Sequence, residues 1–163
     1  MERVYRELHE GGQTWNQPLR WNLDAGGTYG WGCDRYMNSP AVWFVYLALA
    51  GVVLDRPARE IALRPRLLPE TDTLDVPVFA PGNWGRLRVA DTPDGRTLTL
   101  TFTQPEPVET LLVAAEAFPH VAVEGATLVS VSETAYGATR EWRLSFPPGT
   151  TIGADGVQVH LTR

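Results

Sequence analysis

The sequence contains no lysine. All fourteen basic residues are arginines, set against nineteen acids, and the net charge is −5. A net acidic chain is not attracted to nucleic acid or to an anionic membrane surface, so neither is expected as the main partner. Cysteine is nearly as scarce. Cys33 stands alone, which excludes an internal disulfide and a cysteine-rich zinc site, and it is read as a small packing residue. Long apolar runs are missing too. Ala41 to Leu54 is fourteen residues long, short of the roughly 18–20 that a membrane span requires. The opening MERVYRELHE is polar and has no signal-peptide core. Together these absences point to a soluble, cytoplasmic protein. His9, His120 and His160 are scattered, with no metal-ligand spacing. There is no Gly-x-Ser-x-Gly elbow and no phosphate-loop lysine, and the glycines of GGTYGWG follow no strand. No metal or cofactor is expected.

What is present fits one domain, or a small domain with an attached element: 163 residues, 44% hydrophobic and 20% charged. Near the start, Val4 and Leu8 give a short helical stripe closed by Gly11-Gly12. A methionine so close to a helix end suggests the tail of something longer.

Gln13 to Asn38 has no sustained period. Gly26, Gly27, Gly30 and Gly32 let it fold back on itself, and it carries Trp15, Trp21, Tyr29, Trp31 and Tyr36. Sugar rings stack their apolar faces on such aromatics and need planar polar groups for their hydroxyls. Asn16, Gln17, Asn22, Asp24, Asp34, Arg35 and Asn38 supply those groups. The plainer alternative is that the rings pack the helix ends and the polar groups brace the loop.

Ser39-Pro40 then starts a helix, AVWFVYLALA, which stops at Gly51 as a left-handed cap. Trp43, Phe44, Tyr46 and Leu47 leave it no polar face, so it should be covered on every side. Asp55 to Glu60 reads as a polar linker.

From Ile61 onward short runs alternate with period two, as in Leu98, Leu100 and Phe102 against Thr97, Thr99 and Thr101. Pro93-Asp94-Gly95 fits a hairpin turn, and Glu124-Gly125 is a weaker match. Pro65 and Pro77 demote their runs to edge strands or bulged ends. About eight strands at this spacing imply a two-sheet sandwich.

Glycoside hydrolysis requires two carboxylates facing one another across the scissile bond. Asp24, Asp34 and Asp55 lie near the loop, but no spacing pairs them. Arg56, Arg59, Arg64, Arg66, Arg86 and Arg88 are interleaved with acids and read as a solvated, ion-paired face.

Taken in order, Trp15-Asn16-Gln17, Asp34-Arg35-Tyr36-Met37, Leu49-Ala50-Gly51, Leu63-Arg64-Pro65 and Trp84-Gly85 resemble one enzyme family. The likeness spans Val4 to Leu87 and is to the end of the catalytic region in glycoside hydrolase family 116, the bile-acid β-glucosidase and non-lysosomal glucosylceramidase group. The resemblance implies an (α/α)6 barrel with a retaining β-glycosidase site whose carboxylate pair has no counterpart in these residues. It also implies glucose contacts from a Glu and an Arg. Gln17 and Asn38 stand where those would fall, both neutral, and Arg35 is a nearby guanidinium. Other (α/α)6 glycosidases, such as α-rhamnosidases, are similar in ending with a helix followed by a β-sandwich.

The expected fold class is therefore α+β: a terminal helical segment of an (α/α)6 barrel over 1–58, then a mostly antiparallel β-sandwich-like domain over 59–163. The expected role is a C-terminal portion of a glycoside hydrolase, inactive alone, with carbohydrate and the upstream part of the enzyme as partners. Trp15, Asn16, Gln17, Trp21, Trp31, Asp34, Arg35, Tyr36 and Asn38 would touch the sugar, and no residue is assigned to catalysis. Two other readings stay open. One is a self-sufficient, non-catalytic sandwich binding carbohydrate or a protein partner; the other is a purely structural sandwich.

Overall fold

The computed structural model describes residues 21–22, 27–28, 46–115 and 117–163. The chain divides into two units, Met1–Val45 and Tyr46–Arg163. In the first, strands β1 (Trp21–Asn22) and β2 (Gly27–Thr28) form a small antiparallel pair, with Trp21 opposite Thr28.

The second unit opens with a helical turn over residues 46–50. Gly51 ends it with φ +59°, and its N–H reaches the Leu47 carbonyl at 2.8 Å. The sequence placed the cap correctly, but β-structure begins at once. β3 (Val52–Asp55) pairs with β4 (Glu60–Leu63) through a turn at 56–59, where a linker was expected. Leu47 is 48% exposed, so the described residues do not supply the cover that its apolar character calls for. This one turn presents one side to the sandwich, and Ala50 is the residue it buries. The described residues contain this one short helical segment and no complete barrel helix. Residues 41–45 lie outside the described residues.

Ten further strands follow: β5 (Thr73–Ala80), β6 (Asn83–Thr92), β7 (Gly95–Phe102), β8 (Glu106–Pro107), β9 (Thr110–Ala114), β10 (His120–Glu124), β11 (Ser130–Tyr136), β12 (Thr139–Ser145), β13 (Thr151–Ile152) and β14 (Val157–Thr162). One five-stranded sheet runs β10-β14-β7-β6-β5, antiparallel throughout. The other runs β11-β12-β9-β4-β3, antiparallel except for the parallel β4–β9 pair. β8 and β13 form a short pair of their own.

The period-two pattern decides which faces meet. Leu87, Val89, Leu98, Leu100, Phe102, Val157, Val159 and Leu161 are buried from the first sheet. Val52, Ile61, Leu63, Leu111, Val113 and Leu144 are buried from the second, and all belong to one core. Each such side chain contributes roughly 1.5–3 kcal/mol by leaving water.

The Pro93-Asp94 turn does join β6 to β7 as a hairpin. Glu124-Gly125 does not form one. Gly125 has φ +84°, but β10 pairs with β14 and the chain leaves for the other sheet. Pro77 sits in edge strand β5, and β4 ends before Pro65, so neither proline interrupts a ladder from within.

Candidate functional site

The sandwich turns one polar face to solvent, and its register can be followed row by row. Residues alternate across β6, so Asn83, Leu87 and Val89 are buried while Trp84, Arg86 and Arg88 are exposed. Pairing sets Phe79 of β5 against Trp84, Pro77 against Arg86, and Asp75 against Arg88. The rows continue through Thr99 and Thr101 of β7 to Gln158 of β14.

Trp84 is 61% exposed, and its ring meets Phe79 edge-on at 5.0 Å and 73°. Phe79 in turn meets Tyr46 at 5.6 Å, and the Tyr46 hydroxyl donates to the Pro77 carbonyl. Burial raises the Tyr46 phenol above its ordinary range. A large aromatic so exposed, beside hydroxyl, amide and guanidinium groups, offers a sugar ring both a stacking surface and hydrogen bonds.

Trp84 is held from below. Asn83 is buried, and its Oδ1 accepts from the N–H groups of Trp84 at 2.9 Å and Gln104 at 3.1 Å and from Thr103 Oγ1 at 3.0 Å. Its Nδ2 donates to the Gln104 carbonyl and, at 2.9 Å, to Glu106 Oε2. Gly85 is the next residue because a Cβ there would lie 2.6 Å from the Thr101 carbonyl and 2.7 Å from the Phe102 ring. Asp75 binds the front of the face. It accepts from Arg86 Nη2 at 2.7 Å and Arg88 Nε at 3.3 Å, and the Arg86 hydrogen bonds hold its carboxyl below the usual range.

Two concavities lie elsewhere. One, about 400 Å³, is bordered by Arg56, Asn83 and Glu106. Arg56 donates to both Glu106 oxygens at 2.7 Å, and this, ahead of the opposing effect of burial, lowers the Glu106 pKa. With Asn83 also donating to Oε2, Glu106 is held toward its ionised form and is poorly suited to donate a proton. The other concavity, about 830 Å³, runs beside Arg64, Arg96 and Tyr136.

Acids elsewhere are likewise tied to arginine: Glu109 to Arg59, Glu141 to Arg64, Asp91 to Arg96 and Glu60 to Arg143. Among the described residues no group of three or more His, Cys, Asp or Glu could hold a metal, and no helix is long and apolar enough to cross a membrane.

Of the residues expected to touch sugar, Trp21 lies in β1. Trp15, Asn16, Gln17, Trp31, Asp34, Arg35, Tyr36 and Asn38 fall outside the described residues. Trp84 appeared in the sequence only as half of a two-residue motif. Its signal was an aromatic at a polar position of an alternating strand. The arginines at 56, 59, 64, 86 and 88 are ion-paired as expected and Arg66 is not, and the partners at 56, 59 and 64 are distant acids rather than the interleaved ones.

No protein-family model matches the chain, and no curated protein matches it. The fold is similar to part of an α-L-rhamnosidase from Streptomyces avermitilis solved with L-rhamnose, at 18% identity and a TM-score of 0.47. The match covers 74% of this chain and 10% of that enzyme, so the chain spans about a tenth of its length.

Proposed function

We propose that this chain is a non-catalytic β-sandwich portion of a glycoside hydrolase and that the Trp84 face holds carbohydrate. The observation that carries this reading is the Trp84 ring, exposed on a sheet face and set against Phe79, with Arg86 and Thr101 in the next row and Asp75, bonded to Arg86, in the row beyond. A sugar would lie with an apolar face on the indole. Its hydroxyls would donate to Asp75 and accept from the arginines.

The ordered motifs around Trp15-Asn16-Gln17 and Trp84-Gly85 support a β-glucoside as ligand and an upstream barrel as the bearer of the catalytic pair. On this reading Trp15, Asn16, Gln17, Trp21, Trp31, Asp34, Arg35, Tyr36 and Asn38 add further contacts. The ion pairs fit the same role. Stabilising an oxocarbenium-like transition state takes one carboxylate free to attack and one free to donate a proton, whereas Asp75 and Glu106 are each engaged by arginine, which favours their charged form.

Calorimetric titration of the full chain with β-gluco-oligosaccharides, alongside an aryl-β-glucoside assay, tests the proposal. Binding without hydrolysis is expected, and Trp84→Ala should abolish binding while leaving the melting midpoint nearly unchanged. Hydrolysis by the 163 residues alone, or undiminished binding by Trp84→Ala, would overturn it.

A further inference from the structure

The larger concavity has a different character from the Trp84 face. Four arginines, Arg64, Arg66, Arg96 and Arg163, line it against one acid, Asp91. This is a local reversal of sign in a chain whose net charge is −5.

Two of the four are already satisfied. Arg64 donates to Glu141 at 2.5 and 3.2 Å, where Glu141 is 1% exposed. Arg96 donates to Asp91 at 2.6 and 2.8 Å. Arg66 and Arg163, both exposed, make no side-chain hydrogen bond or ion pair among the described residues. Their backbones are nonetheless fixed. The Arg66 N–H donates to the Leu49 carbonyl at 2.9 Å, and the Arg163 N–H to the Asp94 backbone carbonyl at 3.3 Å. The cleft therefore presents two guanidinium groups with no side-chain partner among the described residues, on anchored chain.

Its aromatic wall is Tyr136, 62% exposed, whose ring lies 4.0 Å from the Arg64 guanidinium carbon. Arg64 holds this ring from one side while Glu141 holds Arg64. The result is a fixed aromatic surface next to two free cations. Thr71 and Thr139 add hydroxyls to the lining.

We infer that this cleft binds an anionic sugar residue, with a hexuronate carboxylate received by Arg66 and Arg163 and the sugar ring against Tyr136. The carbohydrate part rests on the proposed function, whereas the anion part rests on the cleft alone. Guanidinium forks match a carboxylate geometrically and bind it as charge-assisted pairs. The volume, about 830 Å³, accommodates more than one sugar ring. On the Trp84 face, the outer side of β5 and β6, both arginines are already engaged by Asp75, unlike Arg66 and Arg163.

Calorimetry on the full chain at low salt tests this with a tetragalacturonate, its methyl ester, inorganic sulfate and a neutral gluco-oligosaccharide. The acid should bind and the ester should bind at least tenfold more weakly. Arg66→Gln with Arg163→Gln should cost the acid at least tenfold and leave the melting midpoint in place, since neither side chain has a partner to lose. Tyr136→Ala should weaken the acid too, and Trp84→Ala should leave it unaffected. The inference is overturned by equal binding of acid and ester, an unchanged double variant, sulfate binding alone, or no binding at all. Loss of neutral-sugar binding with retention of the acid would instead remove the Trp84 proposal and leave the cleft standing.

Discussion

Arg56 grips Glu106 with both Nε and Nη2 at 2.7 Å, and the two ends of this pair live in different solvents. The Glu106 side chain is 2% exposed and the Arg56 side chain 39%. Removing the two partners therefore has unequal effects. Glu106→Gln keeps the volume, frees Arg56 to be hydrated, and should lower unfolding free energy by about 1.5–3 kcal/mol. Arg56→Ala should cost more, because it strands an ionised carboxylate in the interior. Urea unfolding of the two variants checks the order, and the reverse order would mean that Glu106 is not charged in the folded state.

The same pair gives stability a pH dependence of definite sign. Glu106 is lowered first by the Arg56 hydrogen bonds and again by Asn83, against burial. Asp75 is lowered by Arg86, and Glu109 by Arg59 and the Gly149 N–H. A carboxylate whose folded pKa lies below its unfolded value stabilises the fold above the unfolded pKa, about 4.3 for Glu, and loses that contribution as pH falls through the folded one. Denaturation midpoints should fall steadily below about pH 4, and Glu106→Gln should flatten the fall. Identical pH slopes in wild type and variant would dismiss the account.

Period-two alternation made the sandwich legible, because each strand buries one face against the other sheet. β3 was not legible. Val52 to Leu54 continue the apolar run of the preceding helix with no polar interruption, and the left-handed turn at Gly51 decides where helix becomes strand. The Glu124-Gly125 hairpin failed for a related reason. A positive φ permits a turn but does not choose the partner strand, and β10 goes to β14. Arg64 and Glu141, like Arg56 and Glu106, meet only through the parallel β4–β9 pairing and its neighbours, a relation no local spacing encodes. Trp84 belongs with these: its exposure becomes meaningful once the register sets it beside Phe79.

Two glycines with similar φ separate backbone strain from crowding. Gly51 has φ +59°, and a Cβ there would lie 2.0 Å from the Arg64 carbonyl oxygen. Gly82 has φ +71° and nothing within 4 Å. Gly82→Ala should cost about 1–2 kcal/mol from the left-handed conformation alone. Gly51→Ala should cost clearly more, because Arg64 N donates back to the Gly51 carbonyl at 2.8 Å and neither backbone can retreat without opening the β3–β4 ladder. Equal thermal shifts in the two variants would contradict the close approach of the Gly51 and Arg64 backbones.

Asn83 links the buried ion pair to the exposed indole, so its variants should move stability and sugar binding together. Asn83→Ala leaves the Trp84 and Gln104 N–H groups without their acceptor and takes one donor from Glu106. Each buried group so stranded costs about 1–3 kcal/mol, and Trp84, no longer fixed at its N–H, should hold sugar more weakly. Trp84→Ala should remove binding with little change in stability, which distinguishes the contact from its support. Asn83→Asp is the sharper variant. It retains the acceptor for Trp84 but faces Glu106 with a second carboxylate where a donor stood. At pH 7 it should be less stable than Asn83→Ala, because two buried like charges cannot both be relieved by Arg56. Lowering the pH toward about 4–5 lets one of the pair take up a proton, restoring a donor between them, so the gap should narrow. A gap that holds constant with pH would place the introduced carboxylate away from Glu106 and undo the link between the ion pair and Trp84.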